Sequence, residues 1–170
     1  MTLLSRLFRS VPDRREALRP LWHRVVEISR QPDWYAGCGV ADTVAGRFDM
    51  ITAVLALVLL RLERDGDCGA EAALLTELFV EDMDGQLRES GVGDIVVCKH
   101  IGKLMASLGG RIGAYRAAFA GEDSLEDALR RNVTLLDGHG PDALAERLRA
   151  LAAHLGSAAA SEVLAGHIGR

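Results

Sequence analysis

The apolar run from Met50 to Leu60 constrains the fold more than any other feature of the sequence. A membrane-spanning helix needs about 20 predominantly apolar residues, and this shorter run is followed at once by Arg61 and Glu63. Since a helix that is apolar nearly all round packs at the centre of a domain, we interpret the run as a core helix. The pattern predicts that this helix is capped by Asp42 and ends near Arg64.

The rest of the chain is also predicted to be helical. Its 170 residues are 49% hydrophobic and 26% charged, which is usual for one globular domain with a real core. Apolar residues recur at helical spacing, and no strand alternation of useful length occurs. The sequence therefore predicts an all-α fold, with a short basic amphipathic segment at residues 1–12 and a single compact domain of about six to eight helices at residues 13–170.

The stretch from Glu77 to Tyr115 contains two amphipathic patterns separated by glycines. We expect the first helix to end at Gly91 and the second to be capped by Asp94. We expect Gly109 and Gly110 to end the second helix, so that another short helix follows. The apolar face of the first pattern consists of Leu75, Phe79, Met83 and Leu87, and that of the second of Ile95, Cys98, Ile101, Met105 and Leu108.

Proline and polar residues predict several other boundaries. Pro20 either kinks a helix or lies in its first turn, and Pro32 stops that helix before a loop at residues 33–41. Ser124 has the character of an N-cap, with a helix to about Leu136. A helical pattern follows at residues 142–154 and a weaker one at residues 158–167.

The sequence contains few signs of catalysis or of a bound cofactor. There is no phosphate-binding loop, no dinucleotide fingerprint and no G-x-S-x-G. The cysteines Cys38, Cys68 and Cys98 form no C-x-x-C, and the histidines form no metal-binding motif. We therefore expect no cofactor and no metal, and the net charge of −4 gives no drive toward DNA.

Two clusters of charged residues each have more than one possible role. The acidic residues near Glu81 and Asp84 would form a cation site, a partner-docking face or simply the solvated side of a helix. Lys99, Lys103 and His100 would bind an anion or form an ordinary basic helix face. Asp84 lies four residues before Arg88, which favours a helical ion pair.

Two stretches resemble the ubiquinol–cytochrome c chaperone family, which includes mitochondrial assembly factors for the cytochrome bc1 complex and their bacterial relatives. The first is DTVAGRFDM at residues 42–50. The second runs from Phe79 to Tyr115 and includes Leu-Arg-Glu-x-Gly-Val-x-Asp at residues 87–94. The resemblance covers about residues 20–136 and leaves the C-terminal helices at residues 137–170 outside it.

The resemblance implies a non-catalytic chaperone that binds newly made cytochrome b and assists assembly of ubiquinol–cytochrome c reductase. It also implies a companion assembly factor and the ribosome as further partners. No long leader precedes the domain, so we expect a bacterial member in the cytoplasm, with peripheral contact at the inner membrane.

Two sets of residues are the candidates for this role. Apolar side chains at helical spacing would form either a client-binding surface or ordinary core, and polar motif residues would form a buried network or a docking surface. The candidate client surface is Phe79, Met83, Leu87, Met105 and Tyr115. The candidate polar network is Asp42, Arg47, Asp84, Arg88, Asp94, Lys99 and Arg111.

Two other functions stay open from the sequence. A peripheral membrane adaptor is suggested by the basic amphipathic segment at residues 1–12. A small-molecule enzyme on a helical scaffold rests only on Lys99, His100 and the acidic residues.

Overall fold

The computed structural model describes residues 14–89 and 94–168, and the side chains of residues 94–99 lie outside that description. The protein is all-α, as predicted, and the described residues contain no strand beyond one isolated antiparallel bridge between Val40 and Leu135. A 3-10 turn at Glu16–Leu18 precedes the first α-helix. The α-helices are α1 (Arg19–Ser29), α2 (Pro32–Ala36), α3 (Val44–Arg64), α4 (Gly69–Glu89), α5 (Asp94–Phe119), α6 (Leu125–Asn132), α7 (Asp142–Ser157) and α8 (Ala160–Leu164).

Helix α3 lies at the centre of the fold and contacts α1, α4, α5 and α7. Its residues from Asp49 to Leu59 are all buried, which confirms the interpretation of the apolar run. Each CH₂ group buried contributes about 0.8 kcal/mol, so this buried run contributes strongly to the stability of the core. Buried apolar residues of the surrounding helices join the same core.

The cap of α3 differs from the prediction. Thr43, not Asp42, is the N-cap, and its Oγ1 accepts a hydrogen bond from the Gly46 backbone N–H at 3.2 Å. The side chain of Asp42 instead pairs with Arg47. Gly46 is needed because a Cβ there would lie 1.9 Å from the Ala41 carbonyl oxygen.

The predicted break at Gly109 and Gly110 is wrong, because α5 continues through both glycines to Phe119. Glycine costs a helix interior about 1 kcal/mol relative to alanine. The flanking side chains of Leu108 and Tyr115 are buried in the core, and α5 packs against α3, α4 and α6. Tertiary packing therefore outweighs the local preference.

Two further boundaries differ from the sequence expectation. Pro32 begins α2 rather than a loop, since proline suits the first turn of a helix. Trp34 of that helix is buried and donates its indole N–H to the Ile28 carbonyl at 2.6 Å. Helix α6 ends at Asn132 rather than Leu136, and the chain then runs extended beside residues 39–41.

Two expectations are confirmed. Ser124 is the N-cap of α6, and its Oγ accepts from the Asp127 backbone N–H at 3.2 Å. Pro20 lies in the first turn of α1 and does not kink it. The amphipathic segment at residues 1–12 and the predicted helix end at Gly91 lie outside the described residues.

Candidate functional site

Three of the five predicted client-surface residues lie in the core. Phe79, Met83 and Tyr115 are buried, and the Phe79 ring packs edge-on against Trp22 with 6.0 Å between ring centroids. Leu87 is half-buried. These side chains stabilise the packing of α4 and α5 against the rest of the domain and do not form an open surface.

Met105 is the exception, because 37% of its surface is exposed. It lies in a groove between α4 and α5 that has a volume of about 700 Å³. Val80 and Ile101, both half-buried, form the apolar floor of this groove beside Met105. We call it the α4–α5 groove, and it is lined by Arg15, Thr76, Glu77, Val80, Glu81, Asp84, Ile101 and Met105.

The rim of the α4–α5 groove is acidic. Glu77, Glu81 and Asp84 follow one side of α4, whereas Arg15 is the one basic residue in the described lining. The Arg15 guanidinium lies 3.8 Å from the Glu81 carboxylate, and Asp84 accepts from Arg88 at 2.6 Å. Because such exposed pairs are worth only about 0–1 kcal/mol, the rim carboxylates can exchange partners at little cost.

The predicted polar residues whose side chains the structure describes lie in three separate places. The Asp42–Arg47 pair lies at the start of α3, and the Arg47 guanidinium holds the pKa of the Asp42 carboxyl below its usual value. The Asp84–Arg88 pair lies separately on α4. The side chains of Asp94 and Lys99 lie outside the described residues.

Arg111 is the centre of a buried polar cluster between α3, α5 and the segment after α6. Its guanidinium pairs with Asp49, donates to the Asn132 carbonyl at 2.7 Å and donates to the Ser107 hydroxyl at 2.8 Å. The second carboxylate oxygen of Asp49 accepts from the Thr134 backbone N–H at 2.9 Å and from its hydroxyl at 2.7 Å. The cluster satisfies both charges and fixes the end of α6 against α3.

Two buried charged residues, Asp49 and Arg61, were not among the residues that the sequence singled out. Asp49 was not among the candidate residues, although a carboxylate beside an otherwise apolar run was a usable signal. Arg61, at the other end of the same run, is buried and donates to the carbonyls of Leu155 and Ala158, both at 2.8 Å. Arg61 thereby holds the end of α7 against α3.

Tyr115 lies near the Arg111 cluster with a buried hydroxyl that has no hydrogen-bond partner among the described residues. Burial raises the pKa of this hydroxyl to about 12, and the nearby Asp49 carboxylate acts in the same direction. The phenol is therefore neutral at any physiological pH. The Tyr115 side chain is part of the hydrophobic core.

Two other grooves lie elsewhere on the surface. One of about 890 Å³ separates α1 from α4, and its rim carries Arg19 and Arg30 as well as acidic residues. The other, of about 500 Å³, is bounded by α3, α5 and α7 and has an arginine-rich rim. The arginines of this second rim are Arg61, Arg64, Arg116 and Arg149.

The described residues show neither a metal-binding cluster nor a membrane-spanning helix. No group of three or more His, Cys, Asp or Glu side chains in the described ranges is arranged to hold a metal ion. Cys38 and Cys68 are buried free thiols, and burial raises the pKa of Cys38. None of the helices at residues 14–89 and 94–168 is long and apolar enough to cross a membrane.

The helices and the grooves between them define a compact all-α domain. The family model for the ubiquinol–cytochrome c chaperone matches residues 36–169. The chain belongs to this family. The match reaches almost to the C-terminus and so includes α7 and α8, which the motif resemblance did not cover.

One solved structure is similar over nearly the whole chain. It is the crystal structure of the Cbp3 homolog from Brucella abortus, with 29% sequence identity and a TM-score of 0.79. The similarity covers 99% of this chain and 96% of the Brucella chain. A comparison with curated proteins finds no match.

Proposed function

We propose that this protein is an assembly chaperone of the cytochrome bc1 complex and binds newly made cytochrome b, without catalysing a reaction. The observation that carries the proposal is membership of the ubiquinol–cytochrome c chaperone family over residues 36–169. The similarity to a bacterial Cbp3 homolog over 99% of the chain supports it. We place the client in the α4–α5 groove.

The apolar floor of the α4–α5 groove supports this choice. A membrane protein exposes apolar helices before its partners arrive, and a groove between two helices can cover one such helix. Met105 is the exposed side chain of this floor. Its unbranched, polarisable thioether adapts to surfaces of imperfect fit, which suits a client that is not yet folded.

The acidic rim supports the same occupant. Membrane-spanning segments carry an excess of Lys and Arg at their cytoplasmic ends. Glu77 and Asp84 lie on the rim about two turns of helix apart, so one client helix could contact the floor and place its basic flank on the rim. The charge pattern therefore favours a membrane segment over an acidic peptide.

Small residues on the outer side of α5 allow a close approach by another helix. Gly102, Ala106 and Gly109 are exposed near Met105. A Cβ added at Gly102 or Gly109 would meet nothing within 4 Å, so packing within this chain does not require these glycines. Small residues let the backbones of packed helices approach closely, as in membrane helix pairs.

Site-specific photocrosslinking tests the proposed client and its site together. A photoreactive amino acid at position 105 should crosslink to cytochrome b in cells that are making the bc1 complex. The same amino acid at Val44, which is 88% exposed at the start of α3, is the matched control and should give no such product. Crosslinks from both positions at equal yield would refute the proposed site.

A substitution adds a functional measurement. Met105→Asp should lower client capture by about tenfold or more, because a carboxylate pressed against an apolar helix costs more than about 1.4 kcal/mol. Cells lacking the gene should lose the b-haem signal of the bc1 complex in reduced-minus-oxidised spectra. The wild-type gene should restore the signal and the Met105→Asp gene should not. An unchanged spectrum in the deletion strain would refute the assembly role itself.

The remaining partners are predictions from the resemblance. They are the ribosome, a companion assembly factor and the cytoplasmic face of the inner membrane. Copurification of the tagged protein from growing cells would identify each of them.

A further inference from the structure

The described chain begins at the edge of the α4–α5 groove. Arg15 lines the groove and approaches Glu81 at 3.8 Å. The neighbouring Arg14 lies 3.5 Å from Glu71 on the same helix. Residues 1–12 are therefore joined to the domain beside the α4–α5 groove and not at a distant point.

The sequence of residues 1–12 is complementary to this groove. Its apolar residues match the floor formed by Val80, Ile101 and Met105, and its arginines match the acidic rim. No acidic residue occurs before Asp13. The apolar residues include Leu3, Leu4, Leu7 and Phe8, and the basic residues are Arg6 and Arg9.

We propose that residues 1–12 bind in the α4–α5 groove of their own chain when no client is present. The segment has the same combination of apolar and basic residues that we propose for the client. Its docking follows from the groove and the charges alone. Its competition with a client rests in addition on the proposed function.

The chain connection is long enough for this contact. The part of α4 from Thr76 to Asp84 spans about 12 Å at 1.5 Å per residue. The chain from Phe8 to Arg15 can extend roughly 23 Å at about 3.3 Å per residue. Because a short tether produces an effective concentration of about millimolar, even a weak docking interaction would be populated.

Position and charge together favour this groove over the two grooves described above. The groove bounded by α3, α5 and α7 has four arginines and no carboxylate among its described lining residues, although Arg61, Arg116 and Arg149 pair with carboxylates beside it. The α1–α4 groove is lined by four carboxylates as well as Arg19 and Arg30, so its charge alone does not distinguish it. Arg15, at the start of the described chain, lines the α4–α5 groove and not the α1–α4 groove, which places residues 1–12 within reach of the acidic rim and of the exposed Met105.

Photocrosslinking of the purified full-length protein, without client, tests the docking. The photoreactive amino acid at position 105 should form its main product with residues 1–12, as identified by mass spectrometry of the peptides. The same amino acid at Val44 should not. A mixture of light and heavy isotope-labelled protein separates contacts within one chain from contacts between two chains. Products between chains, or none with residues 1–12, would overturn the inference.

Charge reversal in the full-length protein gives a second measurement. Arg6→Glu with Arg9→Glu should lower the yield of this crosslink about tenfold, which corresponds to about 1.4 kcal/mol. The matched control is Arg130→Glu, which reverses an exposed arginine on α6 far along the chain. An equal loss of yield in the control, or no loss in the double variant, would contradict a contact guided by the acidic rim.

Client competition is measured separately, so that the two proposals can fail independently. An apolar helical peptide with lysine flanks should bind the Arg6→Glu, Arg9→Glu variant several-fold more tightly than the wild type, since the competing segment is weakened. Unchanged peptide affinity together with the expected crosslink to residues 1–12 would support the docking and refute the α4–α5 groove as the client site.

Discussion

The buried pair of Asp49 and Arg111 allows a quantitative test of what holds α5 and α6 against the central helix. The exposed fractions of the two side chains are 9% and 8%. Asp49→Leu removes the carboxylate and leaves the Arg111 guanidinium buried without its counter-charge. It also removes the acceptor of the Thr134 backbone N–H and hydroxyl.

The expected cost follows from this geometry. Removing one partner of a buried ion pair costs about 3–5 kcal/mol, because the other charge stays in the interior unpaired. A chain of this size loses about 2–4 °C in Tm per kcal/mol, so Asp49→Leu should lower Tm by roughly 6–20 °C. Arg111→Met should cost a similar amount, because it leaves the Asp49 carboxylate buried.

The double variant Asp49→Leu, Arg111→Met decides whether the loss comes from the unpaired charge. Apolar side chains of similar volume often replace a buried pair at little cost. The double variant should therefore be more stable than the sum of the single losses predicts, by about 2 kcal/mol. Urea unfolding followed by far-UV circular dichroism measures all the free energies of unfolding on one scale.

The surface pair of Asp42 and Arg47 provides the matched control at the start of α3. Its side chains are 55% and 60% exposed. The cycle of Asp42→Ala and Arg47→Ala should give a coupling of no more than about 1 kcal/mol. Additivity of the Asp49 and Arg111 substitutions within about 0.5 kcal/mol would contradict an unpaired buried charge as the cause of the loss. A smaller cost for either substitution alone than for the surface substitutions would contradict it as well.

Three further substitutions test the packing and the pH dependence. Gly46→Ala should lower the free energy of unfolding by at least about 1–3 kcal/mol, since the new Cβ would overlap the Ala41 carbonyl oxygen, and thermal unfolding measures it. Gly109→Ala should raise it by about 0.5–1 kcal/mol in the same assay, because its Cβ meets open space and alanine favours the helix; a loss would show that α5 needs this glycine internally. The Arg149 guanidinium lowers the pKa of the Glu126 carboxyl from 4.5 to about 2. The contribution of this pair to stability is therefore complete above the pKa of Glu126 in the unfolded chain, and it is lost as the pH falls toward about 2. Glu126→Gln should therefore reduce stability at neutral pH and make urea unfolding less sensitive to pH in the acid range; equal sensitivity in both proteins would contradict the assignment.

The positions of helices were predicted well where apolar residues recur at regular helical spacing along one face. The patterns around Leu55, Phe79 and Leu129 all lie in helices at the expected places. The boundaries were predicted less well. Gly109 has a local preference against helix, but the buried side chains on both sides of it keep α5 continuous, and a sequence pattern contains no measure of that packing energy.

The candidate site shows the same difference between what a local sequence pattern predicts and what tertiary packing decides. The sequence identified Met105 as one of several apolar residues at helical spacing, but it could not tell this exposed side chain from the buried Phe79. Exposure depends on which neighbouring helix covers each face. The partner of Arg111 was also not predictable, because Asp49 is distant in the sequence and approaches it only when α3 and α5 pack together.

The sequence by itself determined the helical character of the chain, the central position of the Met50–Leu60 run and the resemblance to a chaperone family. These follow from local periodicity and from motifs that are contiguous in the chain. The tertiary structure alone decided which apolar residues remain accessible, which charged groups are buried together and where an acidic rim lies beside an apolar floor. The physical reason is that burial and charge pairing depend on side chains from different helices, and only packing brings these within reach of one another.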